Sequence, residues 1–121
     1  MVSVPGFLLR RLYQRGSLKN TETGFEFLLA NRLGSGYAHG MLPLVVDGDE
    51  VALGNTAFVL DGDISPFDAV SRDSTFTLAM NKTIVVKVEG TTLSSGTHTI
   101  GMGFDVPGLG TLKFDFTDVV E

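Results

Sequence analysis

The sequence predicts an all-β fold, a sandwich or small barrel, on three observations. The corner at His98, described below, narrows this to an immunoglobulin-like two-sheet antiparallel β-sandwich. Val, Ile and Thr, which favour strands, make up 28 of the 121 residues, whereas Ala, Glu and Lys, which favour helices, make up 15. Apolar and polar side chains alternate along most of the chain, as they do in half-buried strands. Turn signals such as Asp47-Gly48 separate the alternating runs at short intervals. A chain of this length is expected to form a single domain over residues 1–121.

Six runs alternate clearly enough to be predicted as strands. They cover residues 25–29, 42–46, 76–80, 84–88, 100–104 and 112–116. Residues 7–14 and 51–60 alternate less regularly and are two further candidate strands. Residues 64–73 are predicted to contain a helical turn, with Ser65 as its cap and Pro66 at its first helical position. We expect the core to contain Phe27, Leu44, Val86, Ile100, Phe104, Leu112 and Phe114.

The segment from Leu93 to Ile100 has the spacing of the corner that precedes strand F in immunoglobulin-like folds. A Tyr side chain normally reaches back across that corner to a backbone group, and His98 occupies its position here. An imidazole nitrogen can form the same hydrogen bond. We therefore predict that Leu93, Gly96 and His98 form a structural corner and that His98 is not catalytic.

Charge and composition exclude several classes of protein. The formal net charge is −5, although residues 1–40 carry +3 and residues 41–121 carry −8. A nucleic-acid-binding protein would need a larger basic face. No apolar run is long enough to span a membrane, and the first residues lack the charge-then-apolar order of a signal peptide, so a cytoplasmic location is expected. The sequence contains no cysteine, which rules out disulfides and thiolate metal sites.

Catalytic and metal-binding constellations are not predicted on this chain. His39 is flanked by Ala38 and Gly40, and no neighbouring carboxylate or serine is placed to orient it as a base. The aspartates around Asp47 and Asp61 do not follow the ligand spacing of a calcium loop and are typical of hairpin turns. The residues alone therefore indicate a binding or structural β-domain.

Several segments in order resemble the β (small) subunit of bacterial C-glycoside deglycosidases. They lie within residues 16–117 and include Gly16–Asn20, Gly24–Leu29, Leu44–Glu50 and Thr83–Gly90, followed by Leu93–Ile100 and Gly110–Phe116. The loop over residues 30–39 and the short segment 105–110 depart from that family's pattern. The resemblance implies an immunoglobulin-like sandwich that supports a larger subunit and contributes no catalytic residue.

The same resemblance implies the partner and the reaction. The partner would be a TIM-barrel, sugar-isomerase-like α subunit that holds a divalent metal, typically manganese, while this chain holds no cofactor. The complex would be a lyase that cleaves 3-oxo-glycosides by β-elimination, on C-glycosides or on O- or N-glycosides. We expect the subunit interface to include Arg10, Arg11, Tyr13, Tyr37, His39 and Met41. A stand-alone sandwich that binds a ligand or mediates oligomerisation is the alternative.

Overall fold

The computed structural model describes residues 4–121. A short helix, α1 (Gly6–Leu9), runs directly into a 3-10 turn (Arg10–Leu12) and precedes all the strands. Two further 3-10 turns cover Leu53–Asn55 and Phe67–Ala69. The strands in chain order are β1 (Lys19–Asn20), β2 (Gly24–Ala30), β3 (Gly36–Ala38), β4 (Gly40–Met41), β5 (Val45–Val46), β6 (Asp49–Glu50), β7 (Thr56–Leu60), β8 (Asp63–Pro66), β9 (Phe76–Leu78), β10 (Thr83–Glu89), β11 (Gly96–Val106) and β12 (Gly110–Val120).

Two antiparallel sheets form the sandwich, which confirms the predicted fold class. The first sheet has the strand order β1-β2-β10-β7-β8. The second has the order β12-β11-β5-β6, with β4 also paired to β11. A separate two-stranded sheet joins β3 to β9, pairing Gly36 with Leu78 and Ala38 with Phe76. This small sheet lies beside one end of the sandwich and helps to form the cavity described below.

The core follows the alternation that the sequence shows. In β2 and β10, the buried side chains of Phe27 and Val86 lie directly opposite each other in the register. In β11 and β12 the buried side chains again occupy every second position over most of the length. Six of the seven predicted core residues are buried, and Phe104 is instead half-buried against the cluster. Phe104 is less covered than predicted because it lines an open cavity.

Tight turns close the hairpins where Asp-Gly pairs occur. Asp47 and Gly48 have φ of 50° and 92°, and Asp61 and Gly62 have φ of 52° and 85°. Two successive left-handed residues match the right-handed twist of the flanking strands. These turns fix the β5–β6 and β7–β8 pairings.

The candidate strand over residues 7–14 is wrong, because this segment forms α1 and the following 3-10 turn. Pro5 stands at the N-cap with φ −64°, and its carbonyl oxygen accepts the first backbone hydrogen bonds of the helix. The spacing of Leu8, Leu9 and Leu12 puts one apolar face toward the sandwich, and Leu9 and Leu12 are buried. A helix therefore buries these leucines without needing a neighbouring strand.

Other boundaries also differ from the prediction. The strand predicted over residues 76–80 ends at Leu78, and β11 and β12 extend beyond the predicted 100–104 and 112–116. Of residues 42–46, Val45–Val46 form a strand, and Pro43, which lacks an N–H to donate, lies before it. Residues 51–60 begin with a 3-10 turn before β7. Within residues 64–73, Asp63–Pro66 form β8 and the helical turn begins only at Phe67. Pro66 is the N-cap of that turn rather than its first residue, and no side chain caps it.

Truncation of one buried aromatic side chain tests the core. Phe114 is 5% exposed in β12. Phe114→Ala should lower the free energy of unfolding by about 3–5 kcal/mol, because burial is lost and a cavity is left behind. Urea unfolding of the variant and of the exposed neighbour substitution Lys113→Ala would measure this. The Lys113→Ala change should stay within about 0.5 kcal/mol, and equal effects of the two substitutions would contradict this placement of the core.

Candidate functional site

An apolar cavity of about 330 Å³ lies between the two sheets at one end of the sandwich. Leu29 and Phe58 line it from the first sheet, and Met102 and Leu112 line it from the second. Helix α1 and the two-stranded β3–β9 sheet close it partly from the side. Concave, mostly apolar surfaces of this size are typical of small-molecule sites. The cavity is therefore a candidate binding site.

The lining of the cavity is almost entirely hydrocarbon. None of the described residues that line it is charged. Its polar side chains are Asn31, Ser35 and Tyr37. The remaining lining residues are Val4, Leu8, Leu9, Leu12, Leu29, Leu33, Gly34, Gly36, Ala38, Met41, Phe58, Phe76, Leu78, Met102, Phe104, Val106, Leu109 and Leu112.

The side chain of Asn31 forms hydrogen bonds within the entrance loop, residues 31–35 between β2 and β3, and so does not offer a free polar group to a ligand. Its side-chain nitrogen donates to the carbonyl oxygens of Gly34 and Leu78, at 2.7 and 3.0 Å. Its side-chain oxygen accepts from the backbone N–H groups of Leu33 and Gly34. Ser35 likewise accepts the backbone N–H of Met80. These hydrogen bonds tie the segment before β3 to the end of β9 and satisfy the buried amide.

A polar depression adjoins the cavity and shares Tyr37 with it. Its other described lining residues are His39, Arg72, Thr75, Pro107 and Gly108. Tyr37 is 48% exposed and stands where the two regions meet. The apolar cavity thus opens beside a surface that carries a cation.

The predicted corner residue His98 has an acceptor at each ring nitrogen. Nε2 lies 2.7 Å from the carbonyl oxygen of Ser94, four residues upstream, and Nδ1 lies 2.6 Å from the Asp47 carboxylate. Asp47 also accepts the backbone N–H of Thr99 at 2.8 Å. Both imidazole nitrogens can donate only when the ring is protonated. Leu93 is buried beside this corner, and Gly96 has φ of 121°, which favours glycine.

These contacts shift the ionisation of both partners. Hydrogen bonding to Asp47, followed by that to the Ser94 carbonyl, raises the pKa of His98 above its usual 6.5. The backbone N–H of Thr99, followed by His98, holds the pKa of Asp47 below its usual 3.8. The ion pair therefore stabilises the fold fully at pH values that lie above the unfolded-state pKa of Asp47 and below the unfolded-state pKa of His98. The stabilisation is lost as the pH falls through the folded pKa of Asp47 or rises through that of His98.

Replacement of His98 tests whether this corner is structural. At pH 6, His98→Ala should lower the free energy of unfolding by about 1–3 kcal/mol, because the hydrogen-bonded imidazole is removed from a buried position. The difference from the wild type should shrink as the pH rises above 6.5 and through the raised pKa of His98. Urea unfolding at several pH values would measure it. If the difference in the free energy of unfolding grew with rising pH, the folded state would instead stabilise the neutral form of His98.

Three predicted interface residues, Arg10, Arg11 and Tyr13, follow α1. Tyr13 stacks on Phe116 with ring centroids 3.6 Å apart, and its hydroxyl donates to Asp118 at 2.6 Å. Burial, followed by this hydrogen bond, raises the pKa of Tyr13 to about 12. The hydrogen bond from Tyr13, followed by one from the backbone N–H of Gly16, lowers the pKa of Asp118.

Arg10 also contacts the last strand, β12. Its guanidinium donates to the backbone oxygen of Asp115 at 2.6 Å and to the carboxylate of Asp115 at 3.1 Å. Arg11 is exposed. Arg10 and Tyr13 thus make contacts within the chain, whereas a role at a subunit interface stays a prediction for all three residues.

The other three predicted interface residues come together near the cavity. Met41 and Tyr37 line the cavity itself, and Tyr37 and His39 line the polar depression. Sequence reasoning selected this loop but missed the cavity beside it. Alternation shows which side chains face inward, and it does not show whether they fill the space between the sheets. The sequence signal that pointed to an apolar site was the 43% hydrophobic content, which is high for a chain of this size.

Two further features are absent from the described part of the chain. Within residues 4–121, no group of three or more His, Asp or Glu side chains could hold a metal ion. No helix there is long and apolar enough to cross a membrane.

The fold and the cavity define a β-sandwich domain with an apolar cavity between its sheets. Residues 8–121 match the family model described as hydroxymethylglutaryl-CoA reductase, N-terminal domain. The chain therefore belongs to that family. No curated protein matches the chain in sequence.

This family assignment corrects the resemblance to the C-glycoside deglycosidase β subunit. The matched residues include the whole of the 16–117 segment on which the resemblance was based. A lyase subunit that supports β-elimination of 3-oxo-glycosides is therefore the wrong function. The quoted segments consist of strands and tight turns such as Asp47-Gly48, and such patterns recur in unrelated β-sandwiches. The TIM-barrel partner and its manganese followed only from that resemblance and stay untested predictions.

Proposed function

We propose that this chain is the binding module of a hydroxymethylglutaryl-CoA reductase-type protein and takes an apolar group into the cavity between its sheets. The cavity is the observation that carries the proposal. Small-molecule sites are typically concave, mostly apolar and about 300–1,000 Å³ in volume. The cavity, at about 330 Å³ and with a hydrocarbon lining, falls at the lower end of that range.

The chemistry of the lining favours binding over catalysis. Water inside such a cavity would find few hydrogen-bond partners, and an apolar group would replace it favourably. The side chains with shifted pKa values are used elsewhere: His98 and Asp47 join the corner, and Tyr13 and Asp118 join the N-terminal segment to β12. We therefore propose that a separate catalytic domain carries out the reduction. It develops the binding-module alternative rather than the oligomerisation alternative.

We propose the cytoplasm as the location of the protein. The chain has no cysteine and so gains nothing from an oxidising compartment. The sandwich is held instead by a contiguous cluster of buried hydrophobic residues.

A cavity-filling substitution tests the binding site. Gly36 lies in β3 on the same face as Ala38, and both line the cavity. A Cβ atom at Gly36 would meet nothing within 4 Å. Gly36→Leu should therefore insert a side chain into the cavity without a backbone clash and weaken the binding of the neutral fluorescent probe N-phenyl-1-naphthylamine by about tenfold or more, as expected for ~1.4 kcal/mol of lost burial.

Thr77→Leu is the matched control. Thr77 pairs with Tyr37 in the same small sheet and is not among the cavity-lining residues. The Thr77→Leu substitution adds a leucine to the same small sheet, on the face opposite to Gly36. Saturable probe binding by the wild type and by Thr77→Leu, with weak binding by Gly36→Leu, is the expected result. If the wild type showed no saturable binding, or both variants bound equally well, the proposed function would be overturned.

The isolated chain should not consume hydroxymethylglutaryl-CoA. A binding module without the catalytic domain lacks the groups that would carry out the reduction. Mass spectrometry of the thioester after incubation with the chain, NADH and NADPH would measure this. Turnover that rises in proportion to the chain's concentration and disappears on unfolding would contradict the division of roles.

A further inference from the structure

We propose that the natural occupant of the cavity is an aliphatic carboxylate of medium length, with its hydrocarbon tail between the sheets and its carboxylate beside Arg72. This inference rests on the proposed binding function and specifies its ligand. It depends on the arrangement of the apolar cavity and the polar depression on either side of Tyr37.

The cavity limits the ligand's tail. Its described lining includes no charged side chain, and Asn31 is fully occupied by the entrance loop. A polar tail would lose its hydrogen bonds to water without replacement. At ~30 Å³ for each water-sized group, a volume of about 330 Å³ accommodates roughly ten carbon atoms. An unbranched alkyl chain of that length fits both the volume and the chemistry.

The depression supplies the position for the head group. Arg72 lies in a turn closed by backbone hydrogen bonds between Ser71 and Ser74, directly before β9. Phe76 and Leu78 of β9 line the cavity, so the turn places Arg72 in the lining of the depression that adjoins it. Within residues 4–121, Arg72 forms no ion pair. A ligand carboxylate can therefore accept hydrogen bonds from the N–H groups of Arg72 without displacing another anion.

The surroundings of Arg72 are compatible with an anion despite the chain's net charge of −5. The described lining of the depression includes no carboxylate, and its other residues are Tyr37, His39, Thr75, Pro107 and Gly108. The carboxylate of Asp105, on the neighbouring strand β11, accepts a hydrogen bond from the Thr111 hydroxyl at 2.5 Å. A neutral head group would make weaker contacts with Arg72 than a carboxylate does.

Calorimetric titration with decanoate and with decan-1-ol tests the proposal. The two probes share an unbranched ten-carbon chain and differ in the charge of the head group. The wild type should bind decanoate about fivefold more tightly than decan-1-ol, which is the order expected for one solvent-exposed ion pair. Raising the salt concentration should weaken the binding of decanoate alone. Arg72→Gln should remove the preference by weakening the binding of decanoate about fivefold.

Lys19→Gln is the control for net charge, because Lys19 lies in β1 and does not line either region. This variant should keep the wild-type preference for decanoate. Equal affinity of the wild type for the two probes, or an equal loss of preference in both variants, would overturn the carboxylate assignment while leaving the binding function intact. If neither probe bound to the wild type, both proposals would fail.

Discussion

The contact between Phe27 and Phe116 joins the two sheets and sets the distance between them at one end of the sandwich. Their ring centroids lie 5.1 Å apart in an edge-to-face arrangement, and Tyr13 stacks on Phe116 from the side. Large rings fill the space between the sheets there. Two residues farther along β2, and four back along β12, the inward side chains are Leu29 and Leu112, which line the cavity. On these two strands, leucines therefore border the cavity, whereas packed aromatic rings fill the space between the sheets beside it.

Most of the fold was predictable because its signals are local. The alternation in β10 and the Asp-Gly turns each depend on a few adjacent residues, and the structure has them where the sequence indicates. The segment 7–14 was mispredicted because a short apolar run with Leu8, Leu9 and Leu12 fits either a strand or one turn of helix. Its conformation is decided by the surface that it covers, which lies about a hundred residues away in β12.

The site was harder to predict than the fold. Leu29 and Phe104 look like ordinary inward-facing residues of their strands, and only their positions relative to the other sheet show that space remains between them. Arg72 and Tyr37 are 35 positions apart and meet because β3 pairs with β9. The family assignment could not come from the physical pattern either. Strand and turn spacing reports the architecture of a β-sandwich, and many unrelated families share it.

The contacts between the N-terminal segment and β12 affect how copies of the chain meet. At 11 residues, β12 is one of the two longest strands and lies at the edge of its sheet, where unpaired backbone groups would invite another strand. The guanidinium of Arg10 donates a hydrogen bond to the backbone oxygen of Asp115, and α1 lies against the same strand near Lys113. The short helix thus shields the longest open edge of the molecule. Loss of this helix would uncover the β12 edge and give the molecule a surface suited to edge-to-edge self-association.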